Sequence, residues 1–254
     1  MLMKALIICY HCIKDEPWPH LRPAKVADFE NQMQYLSKAY NPISLERIAQ
    51  CIQNGTSLPT KTIAVTFDDG YQDNYKNAYP IIKKYSIPAT IFLTTGFIGT
   101  GEIPAWDKGY YKSEETLMLS WDQVREMSDN GISFGSHTLT HPFLTRIPRK
   151  QAQREIRLSK DIIEQQIGKP VTTLVYPSGD FNSEIRGIVK EAGYSAAVST
   201  IAGHNSAYDD VYALKRNVIQ LQSVCHRLFP LSFIAEMTGV LQHVRTFYHR
   251  IKRL

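Results

Sequence analysis

Thr62-Ile63-Ala64-Val65-Thr66-Phe67-Asp68-Asp69-Gly70 is a short hydrophobic run that ends in two adjacent carboxylates and a glycine. Its first half, Thr62–Val65, has the length and apolar continuity of a buried strand. Two carboxylates at the end of such a strand repel, and one pKa rises unless a cation keeps the other ionised. Ligands for that cation follow a second strand-like run, Ile132-Ser133-Phe134-Gly135: they are His137 and His141 in His137-Thr138-Leu139-Thr140-His141. One Asp and two His make a hydrolytic metal site with room left for water.

Outward from these two motifs, strand-like and helix-like segments alternate. Ala5–Cys9 reads as the first strand, followed by a loop with Pro17, Pro19 and Pro23 and a helix over 24–40. Ser44 caps a helix to Gln53, a further helix covers 74–85, and Pro88 leads into the strand Ala89–Leu93. A loop over 95–119 carries Trp106, Tyr110 and Tyr111. Ser120 caps the next helix, with Gly131 after its end. Pro148 opens a helix whose Ala152, Ile156, Ile163 and Ile167 share one face, closed by Gly168. Thr173–Tyr176, Ala196–Ser199 and Val218–Leu221 are strands, and Ser183 caps the helix between the first two. Such alternation argues for an α/β fold with a parallel sheet, open or closed into a barrel. All the chemistry-bearing motifs then sit at C-terminal strand ends, where barrel enzymes place their sites. With no repeat, low-complexity tract or linker, the expectation is a single domain over 1–224.

The chain has 254 residues, an apolar fraction of 43% and a net charge of +5. This suffices for a full core and is too dilute a positive charge to indicate nucleic acid. Cys9, Cys12, Cys51 and Cys225 show no disulfide framework and read as reduced structural thiols. The apolar run after Met1-Leu2-Met3-Lys4 is too short for a signal peptide or a membrane span and reads as the first strand, so export is not indicated and a cytoplasmic location is expected.

These motifs resemble the polysaccharide deacetylase family, the NodB-homology type of carbohydrate esterase family 4. Thr66-Phe67-Asp68-Asp69-Gly70 and Ser136-His137-Thr138-Leu139-Thr140-His141 match its first two motifs, and Tyr176-Pro177-Ser178-Gly179 is similar to its third. The resemblance implies a distorted (β/α)7-type barrel, a divalent metal and removal of acetyl groups from an N-acetylated sugar. It assigns Asp69, His137 and His141 to the metal and makes Asp68 the base. A backbone N–H at Ser178, beside Tyr176 and Pro177, would serve as oxyanion donor. Zinc suits two His and a carboxylate, and nickel or cobalt also fit.

The chain departs from the family pattern at three places, the first being Ser178, where the family usually has a larger aromatic residue; a backbone donor survives that change. The arginine that braces the catalytic Asp is replaced by Val175, and Arg216 is the candidate substitute. The C-terminal histidine expected as general acid is missing after Val218. A circularly permuted branch of the family carries it in an N-terminal Tyr-His pair, matched here by Tyr10-His11. His11 is therefore the expected acid and His204 the reserve. Deformylases and other non-peptide C–N amidases share such a barrel. The rival from another class is a carbohydrate-binding protein with a dead site, against which the intact Asp68, Asp69, His137 and His141 argue.

Each motif also has a plainer explanation. Asp-Asp-Gly is good turn chemistry, His11 could be a core histidine, and Trp106, Tyr110 and Tyr111 suit loop packing as well as sugar stacking. Beyond Cys225, residues 225–254 form an amphipathic helix. Its stripe is Phe229, Phe233, Met237, Val240, Leu241, Val244, Phe247, Tyr248 and Ile251, opposite a basic face. That stripe fits packing on the barrel, a homodimer, or peripheral contact with the inner face of a membrane, where a lipid-linked N-acetyl sugar would be a natural substrate.

Overall fold

A computed structural model describes residues 4–17, 23–108, 117–219 and 229–238. Its centre is an eight-stranded sheet of β1 (Ala5–Tyr10), β2 (Asn41–Pro42), β3 (Thr62–Phe67), β4 (Ala89–Leu93), β5 (Ser133–Ser136), β6 (Thr173–Val175), β7 (Ala196–Val198) and β8 (Asn217–Val218). The order is β7-β6-β5-β4-β3-β1-β8, with β2 added to β3, and every strand pair is parallel. The sheet curls into an incomplete barrel. Leu214 bridges Val198 of β7, and three residues later Asn217 pairs with Ile8 of β1. This short segment carries the chain across the gap at the C-terminal ends of the strands.

Helices α1 (Val26–Ala39), α3 (Tyr79–Lys84), α4 (Trp121–Asp129), α5 (Arg149–Ile167), α6 (Ser183–Glu191) and α7 (Leu231–Met237) share the larger core with one face of the sheet. Helix α2 (Leu45–Gln53) belongs to the other face, in a smaller core with Ala5, Ile7, Ala64, Phe92, Val175 and Val198. Strands buried on both faces need continuous apolar runs, and β1 and β3 have them. The small residues on the inner face make room for the Phe92 ring. A Cβ at Gly135 would lie 2.4 Å from that ring, so only glycine lets β4 and β5 approach there.

Local signals place most helix ends. Ser44 accepts from the Arg47 N–H, and Ser120 forms a reciprocal capping box with Gln123. Gly168 ends α5 at φ 65°. Three expectations shift. Asn182, not Ser183, caps α6 through Ile185. Pro148 stands just outside α5. The helix over 74–85 begins as a wide π-type turn, Asn74–Ala78, before α3.

Of the expected C-terminal helix, residues 229–238 are described and Leu231–Met237 are helical; Phe233 and Met237 are buried in the main core, Phe233 against Tyr35 of α1. Residues 239–254, Leu221, Cys225, Tyr110 and Tyr111 lie outside the described residues. Cys9, Cys12 and Cys51 are buried free thiols. Among the described residues no helix is long and apolar enough to cross a membrane.

Candidate metal and active site

Strand alternation brings the site together. Side chains two residues apart share a face, so Ala5, Ile7 and Cys9 lead to His11, Ala64 and Thr66 lead to Asp68, Gly135 leads to His137, and Leu214 leads to Arg216. The strands are in register at their C-terminal ends, where Tyr10 pairs with Phe67 and Leu93 with Ser136. His11, Asp68, His137 and Arg216 therefore converge on the inner face at one rim.

Asp69 would point away if β3 continued. It instead takes φ 72°, the left-handed region, which ends the strand and turns its carboxylate toward the histidines. One ligand atom each from Asp69, His137 and His141 lies within 4.8 Å of the others. His137 Nε2 is 3.6 Å from Asp69 Oδ1 and 4.0 Å from Asp68 Oδ2.

The histidine loop is held from several sides. Thr138 and His141 have φ of 66° and 61°, conformations that cost of order 1–3 kcal/mol each unless the surroundings enforce them. The surroundings do so. The Thr95 N–H donates to the Thr138 carbonyl and the Gly96 N–H to that of Leu139. A Cβ at Gly96 would lie 2.7 Å from the Leu139 oxygen. Both the N–H and the hydroxyl of Thr140 donate to Glu155 at 2.8 Å. Trp106 covers His141 at a centroid distance of 4.7 Å. Its indole N–H donates to the Tyr71 hydroxyl, which donates to buried Asp107.

The electrostatics divide the two carboxylates. Arg216 is buried and donates to both oxygens of Asp68 at 2.7 Å. Burial pushes Asp68 upward, but the Arg216 guanidinium outweighs it and holds the carboxyl well below the usual range. Burial, then Asp68 and Asp107, push Asp69 the other way. Burial drives His137 down to about 3 and also lowers His141, against the pull of Asp68, so both imidazoles are neutral at pH 7.

The residues fit a divalent cation. His137 Nδ1 lies 3.0 Å from the Val175 carbonyl. A carbonyl can only accept, so the proton sits on Nδ1 and the Nε2 lone pair faces Asp69. Two neutral imidazoles and one carboxylate form a donor set that a cation would neutralise. Cys9, His11 and Asp68 also approach within 4.8 Å. Arg216 already occupies both Asp68 oxygens, and burial raises the Cys9 thiol, so that set suits an ion poorly.

His11 Nε2 lies 3.9 Å from Asp68 Oδ2, with its side chain 27% exposed. His204 is elsewhere. Its neighbour Asn205 bridges Ala5, at the opposite end of β1 from Tyr10, roughly 16 Å along the strand. Ser178 is exposed at φ 54°, after buried Pro177. The Tyr176 side chain is fully buried, donating to the Tyr212 carbonyl and stacked on Phe181. It holds the turn and offers substrate no surface. Asp180 receives the N–H and hydroxyl of Thr145 and leaves capping to Asn182.

Glu155, Ser159, Tyr71 and Asp107 escaped the sequence reading. Glu155 and Ser159 left a signal, as two polar residues one turn apart within the buried face of α5. Ser159 bonds Ser136 at the end of β5. Tyr71 and Asp107 left none.

A sequence model of the family described as polysaccharide deacetylase matches residues 55–197. YxkH, a Bacillus subtilis protein that carries the family's name, is 32% identical over 84% of this chain and 70% of its own length. A Staphylococcus aureus poly-β-1,6-N-acetyl-D-glucosamine N-deacetylase is 28% identical over 66% of this chain; the match spans 57% of that relative. Among solved structures, the Streptococcus pyogenes deacetylase PplD in complex with acetate superposes with a TM-score of 0.79 at 26% identity, covering 93% of this chain and 99% of that one. His11 and Arg216 lie outside the family match, on either side of it, and join the site only through β1 and the closing segment. The chain belongs to the polysaccharide deacetylase family and is a hydrolase of that class.

Proposed function

We propose that the protein removes N-acetyl groups from an N-acetylglucosamine-type polysaccharide or lipid-linked glycan, with zinc held by Asp69, His137 and His141. The observation that carries this is the convergence of those three ligands beside an Asp68 clamped by Arg216. The named activity of the staphylococcal relative supports the substrate class.

When bound, a divalent cation there would polarise the acetyl carbonyl and acidify a water. Asp68, kept ionised by Arg216, accepts the proton of the attacking water. The Ser178 N–H, on its left-handed turn, donates to the oxygen that gains charge as the carbonyl carbon becomes tetrahedral. His11, on the same rim, passes a proton to the departing nitrogen, without which an amine leaves poorly. Trp106 keeps the His141 ring in place.

Acetate release from N-acetylglucosamine oligomers tests this, measured as purified, after chelation and after zinc, cobalt or nickel is restored. Chelator-sensitive, metal-restored release is the expected result. Protein with a full complement of metal and no release of acetate from free or lipid-linked acceptors would sink it. Peripheral contact with the cytoplasmic face of a membrane, or a homodimer, through the C-terminal segment 225–254 belongs to the same proposal. Co-sedimentation with anionic liposomes and the mass in solution decide between them.

A further inference from the structure

The wide turn Asn74–Ala78 begins four residues after Gly70 and follows directly on the loop that carries Asp68 and Asp69. Lys76 is exposed, but Asn74 is buried and Asn77 half-buried, and both turn toward a neighbouring loop. Asn74 Nδ2 donates to the His11 carbonyl at 2.8 Å and to Asp73 at 2.9 Å. Asp73 accepts the Ile13 N–H at 3.0 Å, and Asn77 Nδ2 donates to the Ile13 carbonyl at 2.7 Å. Two side chains of the turn, with Asp73 just before it, thus hold three backbone groups of the loop that presents His11. π-Type turns recur at functional sites because the extra residue re-aims side chains. Here the widening puts Asn74 and Asn77, three apart, on the same loop.

Asn74 is fully buried, and its Oδ1 has no partner among the described residues. A buried, half-satisfied amide is costly, and what it contributes is its two donor bonds. The His11 ring meets Asp68 only at 3.9 Å. Its aim is therefore set from the backbone.

We propose that Asp73, Asn74 and Asn77 are positioning residues for His11, tying the proton donor to the same loop that carries the base. The proposal rests on His11 acting as that donor. Amides and aryl esters separate the two ideas. A departing amine must be protonated, whereas a nitrophenolate leaves without a proton. A donor displaced by about 1 Å can cost on the order of 10²-fold, but only for the amide.

The test compares His11→Asn, Asn74→Ser and Asn77→Ala on an N-acetylglucosamine oligomer and on 4-nitrophenyl acetate, with zinc content and circular dichroism recorded for each. The expected result is about a 10- to 100-fold fall in kcat on the amide for all three, with ester turnover within about threefold. If Asn74→Ser does not fold, half-buried Asn77 still carries the test. Amide and ester activity falling together, or neither changing, in both asparagine variants while His11→Asn shows the split overturns the positioning role alone. Equal losses in His11→Asn overturn the donor role, and the positioning proposal with it.

Discussion

Arg216 grips Asp68 with two parallel hydrogen bonds of 2.7 Å, both partners almost wholly out of water. The pair joins β3 to the segment that closes the barrel, so it serves the site and the architecture together. Removing one member of a buried pair strands a charge, which costs about 3–5 kcal/mol. Arg216→Met should lose that much in denaturant unfolding and should depress acetate release at least about 100-fold. Arg216→Lys should recover only part of either, because an ammonium cannot bond both oxygens in the same plane. The double variant Asp68→Asn/Arg216→Met should be more stable than Arg216→Met alone. Simple additivity in that cycle would mean the two residues are not coupled.

Asp68→Asn separates the proposed base from the proposed metal ligands. The amide keeps the size of the carboxylate but cannot take a proton, so turnover should fall by about 10²–10⁴-fold. Zinc stoichiometry by atomic absorption should stay as in the native protein. Loss of zinc in this variant would place Asp68 among the ligands.

Glu155 acts on the site from α5. Its two oxygens take both donors of Thr140, one residue before His141. Outer supports of this kind change metal affinity by about 10–100-fold. Glu155→Ala should weaken zinc binding by that order in competition with a chromophoric chelator, and Glu155→Gln, which retains one acceptor, by less. Unchanged affinity in Glu155→Ala would show that Thr95 and Gly96 hold the loop unaided.

Asp73 should make stability depend on pH. Burial raises its pKa from 3.8 to about 6, against the opposing hydrogen bond from Ile13. The folded state then holds a proton that the unfolded state has released, so this contribution is full below pH 4 and is lost as pH rises through about 6. Asp73 keeps part of its surface exposed, and solvent screening limits the effect to about 1–2 kcal/mol. Asp73→Asn should therefore gain about that much over native protein at pH 7 and nothing at pH 4. Parallel unfolding curves from pH 4 to pH 7 would rule the shift out.

Much of this fold was legible because its signals are local. Ser44, Ser120 and Gly168 mark helix ends through bonds to residues three or four positions away. The apolar runs of β1 and β3 advertise burial on both faces. Where the structure differs, the deciding contact lies outside the element itself. Asn182 and Ser183 are equally good caps, and Phe181 stacking on Tyr176 helps set how the chain enters α6. Glu155 lies within the buried face of α5, and its reason is Thr140, 15 residues away.

By itself, the sequence determined the strand–helix alternation, the two motifs that end β3 and β5, and hence Asp68, Asp69, His137 and His141 as one chemical set. A strand run and the residues at its end are contiguous, and a period of two decides which side chains share a face. Only the tertiary structure decided what surrounds that set. His11 and His204 are equivalent as residues, yet β1 carries one to the rim and leaves the other beside its opposite end. Arg216 reaches Asp68 across 148 positions, because Leu214 and Asn217 lace the last gap in the barrel. Sheet closure is a property of all the strands at once, and no local pattern encodes where it brings one arginine.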